Sequence, residues 1–376
     1  MPLDQTGGLK DALPAGKAAH PPSHRMDQNK ASQFAEKVFS EMAGAMTVGM
    51  AYLGIKTGLF RAMSGGAPFT AASLAAATGL RPRYVEEWLL GMAAAGYLEP
   101  GNEDGSFTLP EEHAFLLASE GTDHYAGGLP LAAVSFLGVA PQVARAFQEG
   151  GGVRFEEFSE DCCLGVELMN RGNYDHRLAG YWLRAVPGAI AALEKGGSVL
   201  DVGCGSGRVL VNLARAFPRA RLYGVDIDAG SIARAREAVA AEGLTGRINF
   251  SVGSVDALPA GLRFELITAC DCVHDCAQPE RMLGQVRERL TPDGTLFVSE
   301  PKVSDRMDEN RNPVSVMFYG FSLFHCMTQS LAQNGAGLGT CMGPARTQAL
   351  LRRAGFTQVR PLPIKSRVNL FYEAKL

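Results

Sequence analysis

The chain has 376 residues, 46% of them hydrophobic, enough apolar side chain for two cored domains. Its formal net charge of -3 provides no field that would draw nucleic acid or an anionic membrane. No apolar run reads as long enough to span a bilayer, the N-terminus lacks the basic-then-apolar order of a secretory signal, and eight cysteines without a compact framework fit reduced thiols, so a cytoplasmic protein is expected.

Residues 1–29 mix Pro, Gly, Lys, Asp and His without periodicity and read as a flexible tail. From Ala31 to Phe60 a helical stripe of Phe34, Val38, Met42, Met46, Met50 and Leu53 suits a core or subunit-interface helix. Thr70 caps a short helix that Gly79 ends, and Pro82 opens a second one through Ala95. Two short strands, Tyr97–Glu99 and Ser106–Leu109, then complete a winged helix, which sets the first domain at residues 30–115. Its would-be reading helix follows Arg81 and Arg83 with Glu86 and Glu87, which argues against DNA and for dimerisation and substrate shaping. Residues 116–187 form a helical connector in which Tyr174, His176, Tyr181 and Trp182 are candidates for a pocket edge.

The last domain, residues 188–376, is organised around Ser198–Gly207, an apolar strand running into glycines and then an amphipathic helix. Gly203, Gly205 and Gly207 let the backbone pass close beneath a ligand at a helix start. No Gly-Lys-Ser/Thr follows, so a phosphate-binding loop is not expected, and Gly203, Gly205 and Gly207 mimic the dehydrogenase fingerprint only in part, since Arg208 breaks its spacing. Asp226 ends the second strand, 21 positions beyond Gly205, a separation that brings a carboxylate onto a ribose diol, with Ile227 against the adenine. Further strands are expected at 247–252, 264–269 and 294–300. The last two, 359–364 and 368–374, are joined too tightly for a crossover and must be antiparallel.

The Asp201-to-Gly207 stretch, with an acid before Gly-x-Gly-x-Gly, resembles motif I of class I S-adenosylmethionine-dependent methyltransferases. Together with the winged helix the chain is similar to small-molecule O-methyltransferases and to a bacterial branch combining the same two parts. The resemblance implies an α/β, Rossmann-like sheet with a reversed C-terminal hairpin, and S-adenosyl-L-methionine held by Asp201, Gly203, Gly205, Gly207, Asp226, Ile227, Val255, Asp256, Cys270 and Asp271. It implies that Asp256 accepts the adenine amino group. It also makes His274 of the His274-Asp275 pair the general base toward a hydroxyl, and Glu300, at the end of a strand, is the candidate to orient it. The expected partners are a small-molecule acceptor and a second copy of the chain, with no metal, nucleic acid or membrane.

Between Lys302 and Gly343 an aromatic insertion is expected to roof the acceptor site, with Phe318, Tyr319, Phe324, His325 and Cys326 joining Tyr174 in its lining. Two rivals stand beside this reading. One is a winged-helix regulator that keeps the cofactor site as a sensor. The other is a thiol site for zinc or a metalloid, because Cys270, Cys272, His274 and Cys276 alternate and an extended segment would direct them to one side.

Overall fold

A computed structural model of the protein describes residues 26–102 and 104–376, so all but the last four residues of the expected tail lie outside the described residues. The chain divides at Met46/Thr47 into two compact units. The helix Gln28–Lys56 begins in the first, where Phe34, Val38, Met42 and Met46 of the expected stripe are exposed. By length and composition this helix is apolar enough to cross a bilayer, contrary to the expectation that no run is, because no charge interrupts it from Met42 to Ile55.

The second unit opens with the winged helix. Thr70 accepts a hydrogen bond from the Ser73 N–H to start the helix Ala71–Thr78, and Gly79, at φ 70°, ends it. Pro82 then occupies the first turn of Pro82–Ala94. The strands are β1 (Phe69–Thr70), β2 (Glu99–Pro100) and β3 (Ser106–Thr108), in the order β1-β3-β2. Phe60, Trp88, Leu89, Met92 and Leu98 form the core beneath them. Gly54 is required there, since a Cβ would stand 2.5 Å from the Phe60 ring.

In the connector, Gly128–Leu137 packs on Asp161–Asn173, and Gly128 and Gly165 allow the close approach: a Cβ on either would meet the other helix's backbone at 2.5 Å. The second of these helices continues as a π-helical stretch, Tyr174–Trp182.

The last part holds a seven-stranded sheet in the order β6-β5-β4-β7-β8-β10-β9. Its strands are β4 (Ser198–Val202), β5 (Arg221–Asp226), β6 (Ile248–Val252), β7 (Phe264–Cys270), β8 (Leu290–Pro301), β9 (Gln358–Pro361) and β10 (Asn369–Lys375). Strands β4 to β8 pair in parallel, while β10 runs antiparallel to both β8 and β9. Alternate strand residues serve opposite faces: Val199, Leu266 and Phe297 in one core, Leu200, Ile267 and Val298 in the other. This topology turns the carboxyl ends of β4, β5, β7 and β8 toward a common crevice.

Candidate active site

After β4 the chain turns through Gly203, Gly205 and Gly207, all at positive φ (65°, 51° and 75°), into the helix Arg208–Ala216. The turn is tied to β5: the Gly203 and Cys204 N–H groups donate to the Val225 carbonyl, and the Gly205 N–H donates to Asp226 Oδ2 at 2.9 Å. Asp226 Oδ1 accepts from the Asp228 N–H, also at 2.9 Å. Each carboxylate oxygen keeps a free lone pair, and burial raises the Asp226 pKa against the two backbone bonds. Next to it Ile227 is 68% exposed, an apolar side chain left open at a strand end.

Below the loop Asp201 is buried and accepts the Thr268 hydroxyl at 2.6 Å; burial pushes its carboxyl up to about 7 despite that bond. Asp256 is exposed on the turn after β6 and bonded to Gln285, whereas the Val255 side chain is wholly buried in the sheet core. The residues fit an adenosyl ligand: a ribose-type carboxylate, an open apolar side chain, and Gly205 with nothing within 4 Å of where a Cβ would stand.

At the end of β7, Asp271 takes φ 52° and reverses the chain, and Val273–Asp275 closes a single 3₁₀ turn. The turn carries His274 back toward β8. His274 Nδ1 meets Glu300 Oε2 at 2.6 Å, with both side chains almost fully buried. Burial disfavours a charged ring, but the Glu300 and then the Asp275 carboxylate outweigh it, and the His274 pKa is raised well above its ordinary value. Its other nitrogen, Nε2, lies 3.3 Å from Asp275 Oδ1. Asp271 itself faces the sheet, accepting from Asn369 Nδ2 at 2.8 Å, and burial followed by the Glu300 charge lifts its carboxyl to about 7.

The reversal at Asp271 overturns the expectation that Cys270, Cys272, His274 and Cys276 share one side. Cys270 lies in one sheet core; Cys272 packs on the opposite core, its thiol donating to the Val202 carbonyl, and Cys276 packs there too. Among the described residues the group with metal-ligand spacing is instead His274, Asp275 and Cys326, with donor atoms within 4.8 Å of one another.

Cys326 comes from the insertion, which folds as the helix Pro313–Phe321, a π-helical turn Ser322–Cys326 and the helix Met327–Ala332. His325 is buried on that turn, its ring 4.4 Å from Phe136 and 5.1 Å from Phe158, and burial lowers its pKa to about 4. Phe324 joins the same aromatic cluster, Phe318 is buried, and Tyr319 is exposed, which sets it apart from the enclosed group. Tyr174 packs beneath the sheet end, where burial and the charge of Asp271 raise its phenol. The other connector candidates are engaged elsewhere: His176 with the Gly121 carbonyl, Tyr181 with the Lys365 N–H, and Trp182 in the core. Thr268, Asn369 and Gln329 carry no motif and become visible only once sheet register and helix packing place them.

A methyltransferase-domain family model matches residues 193–340, and an Rv2258c-like winged HTH domain model matches residues 44–119. The chain carries a methyltransferase domain. The glycine loop and Asp226 lie within the residues that the methyltransferase-domain model matches. The chain is 27% identical to 3-hydroxy-5-methyl-1-naphthoate 3-O-methyltransferase of Streptomyces sahachiroi over 83% of this chain and 86% of that one. To demethylspheroidene O-methyltransferase of Cereibacter sphaeroides it is 26% identical, over 87% and 83% of the two chains. A 34% identical stretch in an uncharacterized Synechococcus protein spans only 24% of that protein. In fold it is similar to human N-acetylserotonin methyltransferase solved with S-adenosylmethionine, at TM-score 0.66 and 19% identity, covering 94% of this chain and 99% of that one.

Proposed function

We propose that this methyltransferase methylates a hydroxyl oxygen of a small acceptor, with His274 as general base. The observation that carries the reading is the buried His274–Glu300 pair at the carboxyl end of β7, on the strand next to β4 and its glycine loop. Glu300 fixes His274 Nδ1 as a protonated nitrogen; because the two carboxylates also raise the ring's pKa, Nε2 takes the acceptor's proton only in the fraction of chains where it is deprotonated, a fraction that grows with pH. When bound, S-adenosylmethionine supplies a sulfonium-activated methyl group. The chain's own work is then to place the oxygen, take its proton and keep water out. Two O-methyltransferases among the relatives, matched over more than four-fifths of this chain, support the oxygen as target.

The acceptor side is built from the aromatic insertion and connector, which favours an apolar or aromatic molecule. The exposed apolar stripe on Gln28–Lys56 supports a homodimer, to be read from the molar mass in solution. The DNA-binding reading is disfavoured because Arg83 is already paired with Glu86 and Glu87 on its own helix.

The test is S-adenosylhomocysteine formation with a panel of phenols. His274→Ala is expected to lose about 10²-fold or more in rate while keeping a remnant from alignment alone. An unchanged rate across pH rules out His274 as the base.

A further inference from the structure

Among the described residues the buried polar atoms without a hydrogen-bond partner include His325 Nε2 and Gln329 Nε2, while Asp275 Oδ1 has the His274 Nε2 contact at 3.3 Å. Asp275 lies on the 3₁₀ turn that carries His274, and the other two come from the helical run packed on it, where His325 and Gln329 stand four residues apart and so share a face. A buried polar group left unpaired costs about 1–3 kcal/mol, so two of them gathered beside a reactive centre point to a ligand that completes them.

His325 is the best placed. Its Nδ1 is already in contact with Cys326 Sγ at 3.4 Å, and that sulfur lies within 4.8 Å of His274 and Asp275 donor atoms. A single thiol therefore bridges the two imidazoles. The ring packs against Phe136 and Phe158, and neither phenyl ring has a polar group to offer Nε2.

We propose that His325 is a second anchor for the acceptor: its Nε2 hydrogen-bonds a second oxygen on the same aromatic ring system that carries the methylated hydroxyl. This rests on the hydroxyl-methylation reading above and narrows its substrate class to aromatics bearing two oxygens. Enclosed against Phe136 and Phe158, the buried ring pairs through Nε2 with a phenol or carbonyl oxygen without a counter-charge. The Asp275 carboxylate, whose charge reaches His325, disfavours a second carboxylate in that place. Acceptors with two neutral oxygens are thus preferred to mono-oxygenated ones. A site built to hydrogen-bond such an oxygen rejects the analogue that lacks it.

The test uses the full chain saturated with S-adenosylhomocysteine. Calorimetric titration with 1,3- and 2,3-dihydroxynaphthalene is expected to give at least one dissociation constant about tenfold below that of 2-naphthol. In His325→Phe the aromatic packing is retained and the preference falls to within about twofold, while His325→Gln, whose amide reaches the position of Nε2, restores part of it. Affinity for S-adenosylhomocysteine stays unchanged in both variants. Equal binding of the three naphthalenes, binding of none, or a preference that survives in His325→Phe overturns the proposal. Failure of the unsubstituted chain to bind S-adenosylhomocysteine overturns the methyl-transfer reading along with it.

Discussion

His274 Nδ1 and Glu300 Oε2 stand 2.6 Å apart in a site from which water is nearly excluded, and the pair joins the turn after β7 to the end of β8. Removing the negative partner makes protonation of the ring less favourable. Glu300→Gln should therefore lower the His274 pKa by roughly 1–3 units, and any rate limb that follows this base should move to lower pH by as much. Imidazole nitrogen shifts measured by NMR across a pH titration check this without an acceptor.

Asp201 gives a stability prediction of opposite chemical origin. Its carboxyl titrates near 7 in the folded chain and near 3.9 when unfolded, so the folded state holds the extra proton between these values. Its contribution is present in full below about pH 4 and is lost as pH rises to about 7. Asp201→Asn keeps an oxygen for the Thr268 hydroxyl and removes that titration. Melting temperatures across pH 4–7 should fall less steeply in the variant than in the parent chain.

Arg208 ties the cofactor loop to the connector, donating to Asp175 at 2.5 and 2.6 Å and to Glu242 at 2.9 Å. All three side chains are mostly shielded from solvent. Arg208→Met retains the aliphatic stem but leaves Asp175 without its cation, and denaturant melts should show a loss of about 2 kcal/mol, between the exposed and fully buried cases.

For the winged helix, fluorescence anisotropy with a labelled duplex is expected to show no saturable, salt-dependent binding, since Glu86 and Glu87 already neutralise Arg83 on the would-be reading helix. A Kd that weakens steeply with salt would return the regulator reading to consideration.

Much of this architecture is written locally. The apolar run before Gly203, the acid at Asp226 and the short link before the last strand, residues 362–368 in the fold, each state a strand, a site or a reversal from adjacent residues alone. Glu300 is nameable because strand ends in a parallel sheet converge on one crevice, whereas His274 is named by the resemblance of the His274-Asp275 pair. The cysteine pattern misled because alternation predicts a shared side only while the chain stays extended, and Asp271 at φ 52° ends that condition. Strand β8 begins at Leu290, earlier than its Thr-Pro-Asp-Gly suggests, since Gly294 lies against the Phe264 carbonyl where a Cβ would fall at 2.8 Å. The approach of Cys326 to His274 depends on how an insertion fifty residues downstream packs, and no local pattern encodes that.

The most direct measurement is calorimetric titration of S-adenosylhomocysteine into the full chain and into Asp226→Ala. One saturable site per chain is expected, weakened by about tenfold or more when the carboxylate that holds the Gly205 N–H is removed. A chain that shows no saturable heat, or an Asp226→Ala variant that binds as tightly as its parent, contradicts this reading.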